Sequence, residues 1–311
     1  MKRFDVLGLG EPMVEFSQLP DSESGRSYLQ GFGGDTSNAV IAAARQGARC
    51  GFVTALGQDP FGEALLALWA REGVDHSGVK RDPKAPTGIY FITHGPEGHT
   101  FTYCRAGSAA SRMGPEELPE ALLRQTAYLH VSGISQAISS QACDAVFRAM
   151  EIVREAGGKI AYDTNLRLKL WPEARARAVI HEAIRKSDIA LPGLEDAKAL
   201  TGLIEPDAIA DFYLKLGAEV VALKLGAEGA LIATPDSRWR IPGFRVRVLD
   251  ASGAGDCFDG AFLAELARGR SYLEAARYAN AAAALSTTGY GAVEPIPKRQ
   301  QVEAFLAEQR Q

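Results

Sequence analysis

The feature that most constrains the fold is an alternation between short apolar runs and longer stretches rich in alanine and leucine. The short runs are typical of buried strands, and the longer stretches are typical of helices, such as Thr36–Gln46 and Glu63–Arg71. This order predicts a mostly parallel sheet with helices on both faces, because parallel strands are joined by crossover helices that cover the sheet. The strands predicted in this way are Phe4–Leu9, Gly51–Leu56, Ala127–Val131, Lys159–Asp163, Ile189–Leu191 and Val220–Leu223.

Two segments interrupt this alternation. Glu11–Phe32 is rich in serine, glycine and charge, and Gly88–Cys104 has a strand–turn–strand pattern around residues 95–98. Both are predicted to supply antiparallel strands to a small sheet that stands off the main one. Because no repeat, low-complexity tract or linker divides the chain, residues 1–311 are predicted to form a single domain.

Composition and charge exclude several classes of protein. The 311 residues carry 34 Lys and Arg against 38 Asp and Glu, a formal charge of −4, whereas a nucleic-acid-binding protein needs a basic stripe or domain. The cysteines are widely spaced without a CxxC pair, which favours reduced thiols. No apolar run approaches the ~18 residues that span a bilayer, and Asp5 and Glu11 interrupt any signal-peptide core. We therefore predict a cytoplasmic protein with neither nucleic acid nor membrane as a partner.

Several familiar catalytic motifs are absent from the sequence. Gly8-Leu9-Gly10 begins like a dinucleotide-binding fingerprint, but Met13 stands where the third glycine is needed for close helix packing. The sequence contains no P-loop, no HExxH zinc motif and no Gly-x-Ser-x-Gly elbow. Any chemistry must therefore use other residues.

A glycine-rich turn near the C-terminus is the first candidate site. Residues 250–262 read Asp-Ala-Ser-Gly-Ala-Gly-Asp-Cys-Phe-Asp-Gly-Ala-Phe. A strand is predicted before the turn, at Phe244–Leu249, and a helix after it, at about Ala254–Arg268. Backbone N–H groups at such a turn converge on an anion, and the helix dipole adds positive potential.

Asp256 lies in the first turn of that predicted helix, beside the expected anion. A carboxylate is unfavourable there unless it has a task, such as accepting a proton from an attacking hydroxyl. The helix dipole is expected to keep Asp256 ionised and weakly basic, which is sufficient when the phosphoryl transition state is loose. From this segment alone, Asp256 is equally well explained as a helix cap.

A second glycine-rich segment, Gly31–Asn38, precedes a predicted helix and is followed by Gly57-Gln58-Asp59-Pro60-Phe61-Gly62. Together with the Gly-Ala-Gly-Asp turn, these segments resemble the two signatures of the ribokinase-like (PfkB-type) carbohydrate kinases, and the resemblance runs from Phe4 to Pro297. It implies an α/β fold of the ribokinase-like kind, with a doubly wound, mostly parallel sheet and a small β-sheet lid. The lid would comprise about residues 11–33 and 86–106, and it would join copies of the chain into a dimer or larger homo-oligomer.

The resemblance also implies roles for particular residues. Asp256 would be the base that activates the sugar hydroxyl, and the backbone N–H groups of Gly253, Ala254 and Gly255 would form an anion hole. Gly34 would be glycine because a side chain there would fill the pocket. Substrate would be bound from both the main domain and the lid, by Gly34, Asp35, Asn38, Tyr90, Tyr103, Arg105 and Arg167. Nucleotide would be bound by Asn165, Lys224, Gly226, Gly229, Gly255 and Asn280, and magnesium would be held through water by Glu195 and Asp196.

From the residues alone, less specific interpretations stay open for several of these positions. Tyr90 and Tyr103 alternate with apolar residues and are equally explained as cross-strand packing. Arg105 could be a solvated strand charge, and Asn38 could be structural, near a helix start.

Within the family, residues 103–111 and 162–171 are similar to those of kinases that act on 2-keto-3-deoxygluconate. The resemblance implies ATP-dependent phosphorylation of this sugar acid to its 6-phosphate, with Mg2+ and a monovalent cation such as K+ as cofactors. Two arginines, Arg105 and Arg167, favour an acid because a carboxylate gains a charge-assisted pair. The alternatives are a fructokinase, ribokinase or nucleoside kinase, and a catalytically silent sensor of sugar or nucleotide. The intact run Gly253–Asp256 argues against a silent protein, because a sensor needs no base.

Overall fold

The computed structural model describes residues 2–19, 27–95 and 98–309, which form two β-sheets and their surrounding helices. In chain order the strands are β1 (Phe4–Leu9), β2 (Met13–Gln18), β3 (Tyr28–Gly33), β4 (Cys50–Gly57), β5 (Asp75–Asp82), β6 (Ile89–Gly95), β7 (Gly98–Cys104), β8 (Thr126–Ser132), β9 (Lys159–Asp163), β10 (Ile189–Ala190), β11 (Val220–Lys224), β12 (Gly229–Ala233) and β13 (Arg238–Pro242). The α-helices are α1 (Asp35–Arg45), α2 (Pro60–Arg71), α3 (Ala109–Arg112), α4 (Glu120–Leu123), α5 (Gly133–Ala137), α6 (Ser140–Glu155), α7 (Glu173–Arg185), α8 (Leu194–Thr201), α9 (Pro206–Leu216), α10 (Ala254–Ala267), α11 (Tyr272–Ser286) and α12 (Arg299–Glu308).

The main sheet has nine strands within the described residues, in the order β13-β12-β11-β10-β9-β8-β1-β4-β5. Strands β10, β9, β8, β1, β4 and β5 run parallel to β11. The β11–β12 and β12–β13 pairs are antiparallel, so β12 runs against the other described strands of this sheet. Helices cover both faces and enclose two apolar layers, one around Leu129 and Tyr162 and the other around Phe52 and Phe262. The predicted parallel sheet with helices on both faces is confirmed.

The sequence pattern predicts the central strands almost to the residue, because these strands are buried on both faces and contain hardly any polar side chains. Phe4–Leu9 and Lys159–Asp163 are strands with the predicted ends, and the other four predicted strands differ by only one residue at an end. The predicted helix after the glycine-rich turn is α10, which ends one residue early, at Ala267.

The predicted strand at Phe244–Leu249 is wrong. After β13 ends at Pro242 the chain forms no strand through this segment, and the Leu249 N–H donates to the Thr287 carbonyl oxygen at 2.8 Å. The backbone therefore bonds to the C-terminal end of α11 instead of to a neighbouring strand. Arginine and valine alternate through residues 244–249, as they would in a strand. The segment instead lies at the edge of a cleft, and Val248 is exposed.

A second, four-stranded sheet has the order β3-β2-β6-β7, and we call it the lid. The pairs β2–β3 and β6–β7 are antiparallel as predicted, but β2 and β6 pair in parallel, with Val14 opposite Ile89. They are parallel because both enter the lid from the same side of the main sheet. Residues 20–26 and 96–97 of the predicted segments lie outside the described residues.

The carboxyl ends of the parallel strands, the first turns of α1 and α10, and the lid all meet on one side of the molecule. In doubly wound sheets, ligands bind at this edge, where helices on opposite faces diverge. Among the helices of the described residues, none has the length and apolarity to cross a membrane.

Candidate active site

A cleft of about 1690 Å³ lies between the lid and the carboxyl end of the main sheet. It is larger than the roughly 300–1,000 Å³ usual for one small ligand, which leaves space for two substrates. The cleft brings together every residue that the sequence analysis assigns to the site: Gly34, Asp35, Asn38, Tyr90, Tyr103, Arg105, Asn165, Arg167, Glu195, Asp196, Lys224, Gly226, Gly229, Gly253, Ala254, Gly255, Asp256 and Asn280.

Helix α10 points its N-terminus into this cleft. Its cap residue, Gly253, has φ 71°, a left-handed conformation that glycine adopts without strain. The first intrahelical bond runs from the Cys257 N–H to the Gly253 carbonyl oxygen at 2.8 Å. N–H groups of a helix's first turn have no acceptor within the helix, so they can bind an anion in the cleft. Binding of a phosphoryl group by Gly253–Gly255 stays a prediction.

The side chain of Asn38 contacts the predicted base directly: its Nδ2 donates to Asp256 Oδ2 at 2.9 Å. The contact depends on the close packing of α1 against α10, since a Cβ on Gly260 would lie 1.9 Å from the Ala39 carbonyl oxygen. The Asn38 amide therefore orients the carboxylate of Asp256, and the binding of substrate by Asn38 stays a prediction.

Burial raises the pKa of Asp256 to about 7, and the nearby carboxylates of Asp35 and Asp163 act in the same direction. The Asn38 hydrogen bond and the Lys224 ammonium oppose this rise. This rise runs against the expectation of a weak base that stays ionised, because burial and the neighbouring carboxylates disfavour the charged form. A carboxylate with a pKa near neutrality is well suited to accept a proton at physiological pH.

Asp35 and Asn165, assigned to substrate and nucleotide, also contact each other. Asn165 Nδ2 donates to Asp35 Oδ2 at 2.9 Å, and both residues are buried in the floor of the cleft. Burial raises the pKa of Asp35, and Asp163 adds to the rise. The floor therefore holds several carboxylates close to Asp256.

The Lys224 ammonium, assigned to the nucleotide, lies between two carboxylates at the floor. Its Nζ is 2.9 and 3.0 Å from the two oxygens of Asp259 and 3.2 Å from Asp163 Oδ1. Burial alone would lower the pKa of Lys224, but the two carboxylates overcome this and raise it well above its ordinary value. The sequence analysis assigns no role to Asp163 or Asp259. The only hint is that they lie within residues 162–171 and 250–262, two segments that carry the family resemblance.

In the lid, Tyr90 and Tyr103 face each other on β6 and β7, with ring centroids 5.6 Å apart. The Tyr90 hydroxyl donates to Glu15 Oε2, and burial together with Glu15 raises the pKa of Tyr90 well above its ordinary value. Tyr103 is exposed to the cleft. The two tyrosines are thus both a cross-strand pair and part of the cleft wall.

Arg105 is not a solvated charge. Its Nε donates to Glu11 Oε2 at 2.6 Å, and the Arg105 and Glu11 side chains are only 10% and 0% exposed. The Ser108 hydroxyl donates to the other Glu11 oxygen. The lid arginine is therefore already paired with a buried carboxylate. Sequence reasoning missed this pair because the only hint is that Glu11 lies two residues after the end of a buried strand.

Glu11 also lies where the chain passes between the lid and the main sheet. In the described residues there are four such passages, near residues 10–12, 33–34, 83–88 and 105–108. Gly34 has φ 111°, and a Cβ there would lie 2.6 Å from the Glu11 carbonyl oxygen, so a side chain would strike this backbone before it filled the pocket. A Cβ on Gly88 would lie 2.8 Å from Glu11 Oε1. Glu11 therefore belongs to the first passage and contacts the other three.

Arg167 differs from Arg105 in its surroundings. It is exposed at the cleft, and Nη1 donates to the Leu166 carbonyl oxygen at 2.8 Å. Within the described part of the chain, no carboxylate lies within ion-pair distance of its guanidinium. The Leu166 N–H donates to Asp196 Oδ2 at 2.9 Å, which ties the loop that carries Arg167 to α8.

The two residues assigned to magnesium are placed differently. Asp196 is partly buried and lines the cleft, and burial raises its pKa. The Glu195 side chain is 82% exposed at the rim and pairs with Lys198 at 2.8 Å. Among the described residues no cluster of three metal-ligating side chains occurs. Since Mg2+ is usually held by one or two carboxylates together with substrate phosphates, Asp196 fits a contact through water and Glu195 does not.

The remaining nucleotide-side residues form one wall of the cleft. Gly226 begins a single turn of 3-10 helix after β11 and Gly229 follows it, and both have positive φ, at 61° and 98°. Asn280 Nδ2 donates to the carbonyl oxygens of Ile241 and Pro242 at 3.1 and 3.3 Å. Asn280 therefore ties α11 to the edge strand β13 beside the cleft.

Comparisons with known proteins agree with this geometry. The family model described as pfkB family carbohydrate kinase matches residues 5–299. The chain is 35% identical to 2-dehydro-3-deoxygluconokinase of Bacillus subtilis (strain 168), over 99% of this chain and 97% of that protein. It is 33% identical to the enzyme of the same name from Thermoproteus tenax (97% and 94%), and 32% identical to fructokinase-1 of Zea mays (96% and 96%).

Solved structures give the same family. A PfkB protein from Polaromonas sp. JS666 is 34% identical with a TM-score of 0.87, covering 97% of this chain and 99% of that one. A fructokinase from Vibrio cholerae O395, in a form with fructose, ADP and calcium ion bound, is 30% identical with a TM-score of 0.87, covering 97% and 98%. The chain therefore belongs to the pfkB family of carbohydrate kinases.

Proposed function

We propose that this kinase transfers the γ-phosphoryl group of ATP to the C6 hydroxyl of 2-keto-3-deoxygluconate. The observation that carries the acid assignment is the exposed Arg167 guanidinium, which faces the cleft and has no carboxylate within ion-pair distance among the described residues. Asp35 and Asp196 interact with it electrostatically from farther away. Two similar relatives bear the name 2-dehydro-3-deoxygluconokinase, which supports the same acceptor.

In the proposed reaction, Asp256 accepts the proton of the acceptor hydroxyl as its oxygen attacks the γ-phosphorus. The phosphorus–oxygen bond to the β-phosphate breaks, so ADP leaves with the bonding electron pair. The N–H groups at the start of α10 face the charge on the transferring group, where preorganised donors stabilise phosphoryl transfer most. Asn38, which donates to Asp256 at 2.9 Å, keeps the carboxylate aimed at the hydroxyl.

The residues present fit a divalent ion that enters with the nucleotide. Asp196 would hold Mg2+ through water, and the ion would neutralise phosphate charge. The Vibrio cholerae fructokinase structure, which contains ADP and a calcium ion, supports a divalent ion beside the nucleotide. The requirement for K+ stays a prediction.

A neutral sugar is the second candidate acceptor. Arg105, one of the two arginines that favour an acid, is already neutralised by Glu11. The lid therefore offers the acceptor no net positive charge from this pair, and neutral-sugar kinases such as the maize fructokinase are nearly as similar to the chain as the sugar-acid kinases.

The test is an ADP-release assay on the wild-type enzyme with matched acceptors. 2-Keto-3-deoxygluconate, its C4 epimer, fructose, ribose and a nucleoside are compared by kcat/KM, with Asp256→Asn as the background control. A charge-assisted pair with Arg167 should favour the acid over fructose by about 10- to 100-fold. Phosphorus NMR of the product should show coupling to the two C6 protons. Faster turnover of fructose, ribose or the nucleoside would overturn the acid assignment and favour the second candidate.

We also propose that copies of the chain associate through the lid. The exposed Tyr28 and Leu29 on its edge strand β3 supply apolar surface for such a contact. Light scattering coupled to size-exclusion chromatography should give at least twice the monomer mass. Leu29→Lys should reduce it, and a monomeric wild type would contradict the proposal.

A further inference from the structure

The buried carboxylate of Asp259 has no part in the reaction described above. It lies on α10 one turn after Asp256 and is fully buried, with a 0% exposed side chain. A lone buried carboxylate is costly, but both oxygens of Asp259 accept from the Lys224 ammonium, whose side chain is 14% exposed. Burial and the neighbouring Asp163 carboxylate raise the pKa of Asp259, and Lys224 opposes this rise. The helix that carries the base is therefore tied to the end of strand β11 by an ion pair.

The same ammonium also reaches the neighbouring strand. Lys224 Nζ is 3.2 Å from Asp163 Oδ1 at the end of β9, and Asp163 is 6% exposed. One cation thus joins the ends of two parallel strands to the first turns of α10. It lies behind the predicted anion hole, since a Cβ on Gly255 would be 3.6 Å from Nζ.

We propose that Lys224 is a positioning residue for phosphoryl transfer, which fixes the base and the first-turn N–H groups of α10 against the strand ends through Asp259 and Asp163. This role differs from direct contact with ATP, because the ammonium is already paired with both carboxylates. The inference rests on the proposed phosphoryl transfer but not on the identity of the acceptor.

The two roles predict different kinetics for Lys224→Met. A displacement of catalytic groups by about 1 Å costs about 10²-fold in rate, so a positioning role predicts a loss of kcat of that size. The KM values for ATP and acceptor should then stay within about threefold, because ground-state binding is little changed. A direct contact with ATP predicts instead a large rise in KM for ATP.

A second variant separates positioning from folding. Removing one partner of a buried pair destabilises a protein strongly, whereas replacing both by apolar residues is often neutral. The double variant Lys224→Met/Asp259→Leu should therefore recover part of the melting temperature lost in Lys224→Met, while kcat stays low. The recovery is incomplete because Asp163 stays buried without its cation. Lys215→Met, the same change at an exposed lysine on α9, is the matched control and should behave as wild type.

All variants are assayed with the acceptor that the wild type uses fastest, so a wrong acceptor assignment would change the substrate and not this result. Low kcat with near-normal KM for ATP in both Lys224 variants is the expected outcome. A KM for ATP raised tenfold or more with kcat retained, or wild-type kcat in the double variant, would overturn the proposal.

Discussion

The floor and the lid of the cleft both contain buried charges, but they arrange them in opposite ways. At the floor, the carboxylates of Asp35 and Asp163 lie close enough to Asp256 to raise its pKa. In the described part of the lid and at its base, the two buried acidic side chains each have their own donor, Arg105 for Glu11 and Tyr90 for Glu15. Burial and like charges at the floor make a carboxylate basic, whereas the matched pairs of the lid give shape without reactivity.

Under the proposed function, the floor carries out the phosphoryl transfer, and the contact between floor and lid selects the acceptor. Arg167 is exposed beside the floor and has a free guanidinium face, while Arg105 in the lid is enclosed with Glu11. Two residues of the same type should therefore have different effects when they are removed. The following experiments test this contrast in order of decreasing expected effect.

The largest effect is expected from Asp256→Asn at the floor. The change keeps the size of the side chain and its ability to cap α10, but it removes the proton acceptor. Loss of a general base typically lowers the rate by about 10²–10⁴, so kcat should fall by that factor while KM values change little. Steady-state kinetics and a melting curve provide the check. Near-normal turnover by a folded variant would leave Asp256 as a helix cap.

The next largest effects are expected from Arg167 and Arg105, which should change different properties of the enzyme. Arg167→Ala should lower kcat/KM for the sugar acid by about 10- to 100-fold, because a charge-assisted hydrogen bond is lost, with the melting temperature unchanged. Arg105→Ala should lower the melting temperature, because Glu11 is left buried without its cation. Kinetics with both substrates, together with thermal unfolding, measure this contrast. A rise in KM for ATP instead of the acid in Arg167→Ala would move this arginine to the nucleotide.

The pH dependence of kcat/KM should reflect the pKa of Asp256, which burial and the neighbouring carboxylates raise. Asp256 must be ionised to accept a proton, and its pKa is about 7 in the unliganded protein, so kcat/KM should fall about tenfold per pH unit below that value. Asp35→Asn removes a like charge and should move the acidic limb to lower pH. Asn38→Ala removes a donor to the carboxylate and should move it to higher pH. Profiles from pH 5 to 9 that are flat, or that shift in the opposite directions, would contradict the assignment of Asp256.

The smallest effect is expected in the lid backbone. Amides of β6 and β7 near Tyr90 and Tyr103 should exchange with solvent a few times more slowly when sugar is bound, because lids belong to the less stable parts of a fold. Hydrogen exchange followed by mass spectrometry measures this, with amides of β9 in the main sheet as the internal control. Equal protection in both states would make the lid a rigid structural element.

The sequence predicts those parts of the fold and the site that are determined by residues close together in the chain. The central strands and the glycine-rich turn before α10 are encoded by neighbouring residues, so their positions follow from pattern alone. Phe244–Leu249 has the same kind of pattern but no neighbouring strand to pair with, and pattern cannot reveal that.

The parts of the site that escaped prediction are long-range pairs. Glu11 and Arg105 are 94 residues apart, and Lys224 and Asp259 are 35 apart, so no spacing rule connects them. The pKa of Asp256 was misjudged for the same reason: the helix dipole is a local property, whereas Asp35 and Asp163 approach from distant parts of the chain.

The convergence of four chain passages on Glu11 has a mechanical consequence. If the lid rotates as a rigid body about these passages, the displacement of each lid residue grows with its distance from Glu11. Along β7, at about 3.3 Å per residue, a swing of roughly 10° would move Tyr103 by about 1 Å and Phe101 by about 2 Å. Gly34 and Arg105, beside the pivot, would keep their places. The inner end of the cleft would then hold its shape throughout, and the aromatic rings farther out would travel over the ligand to enclose it.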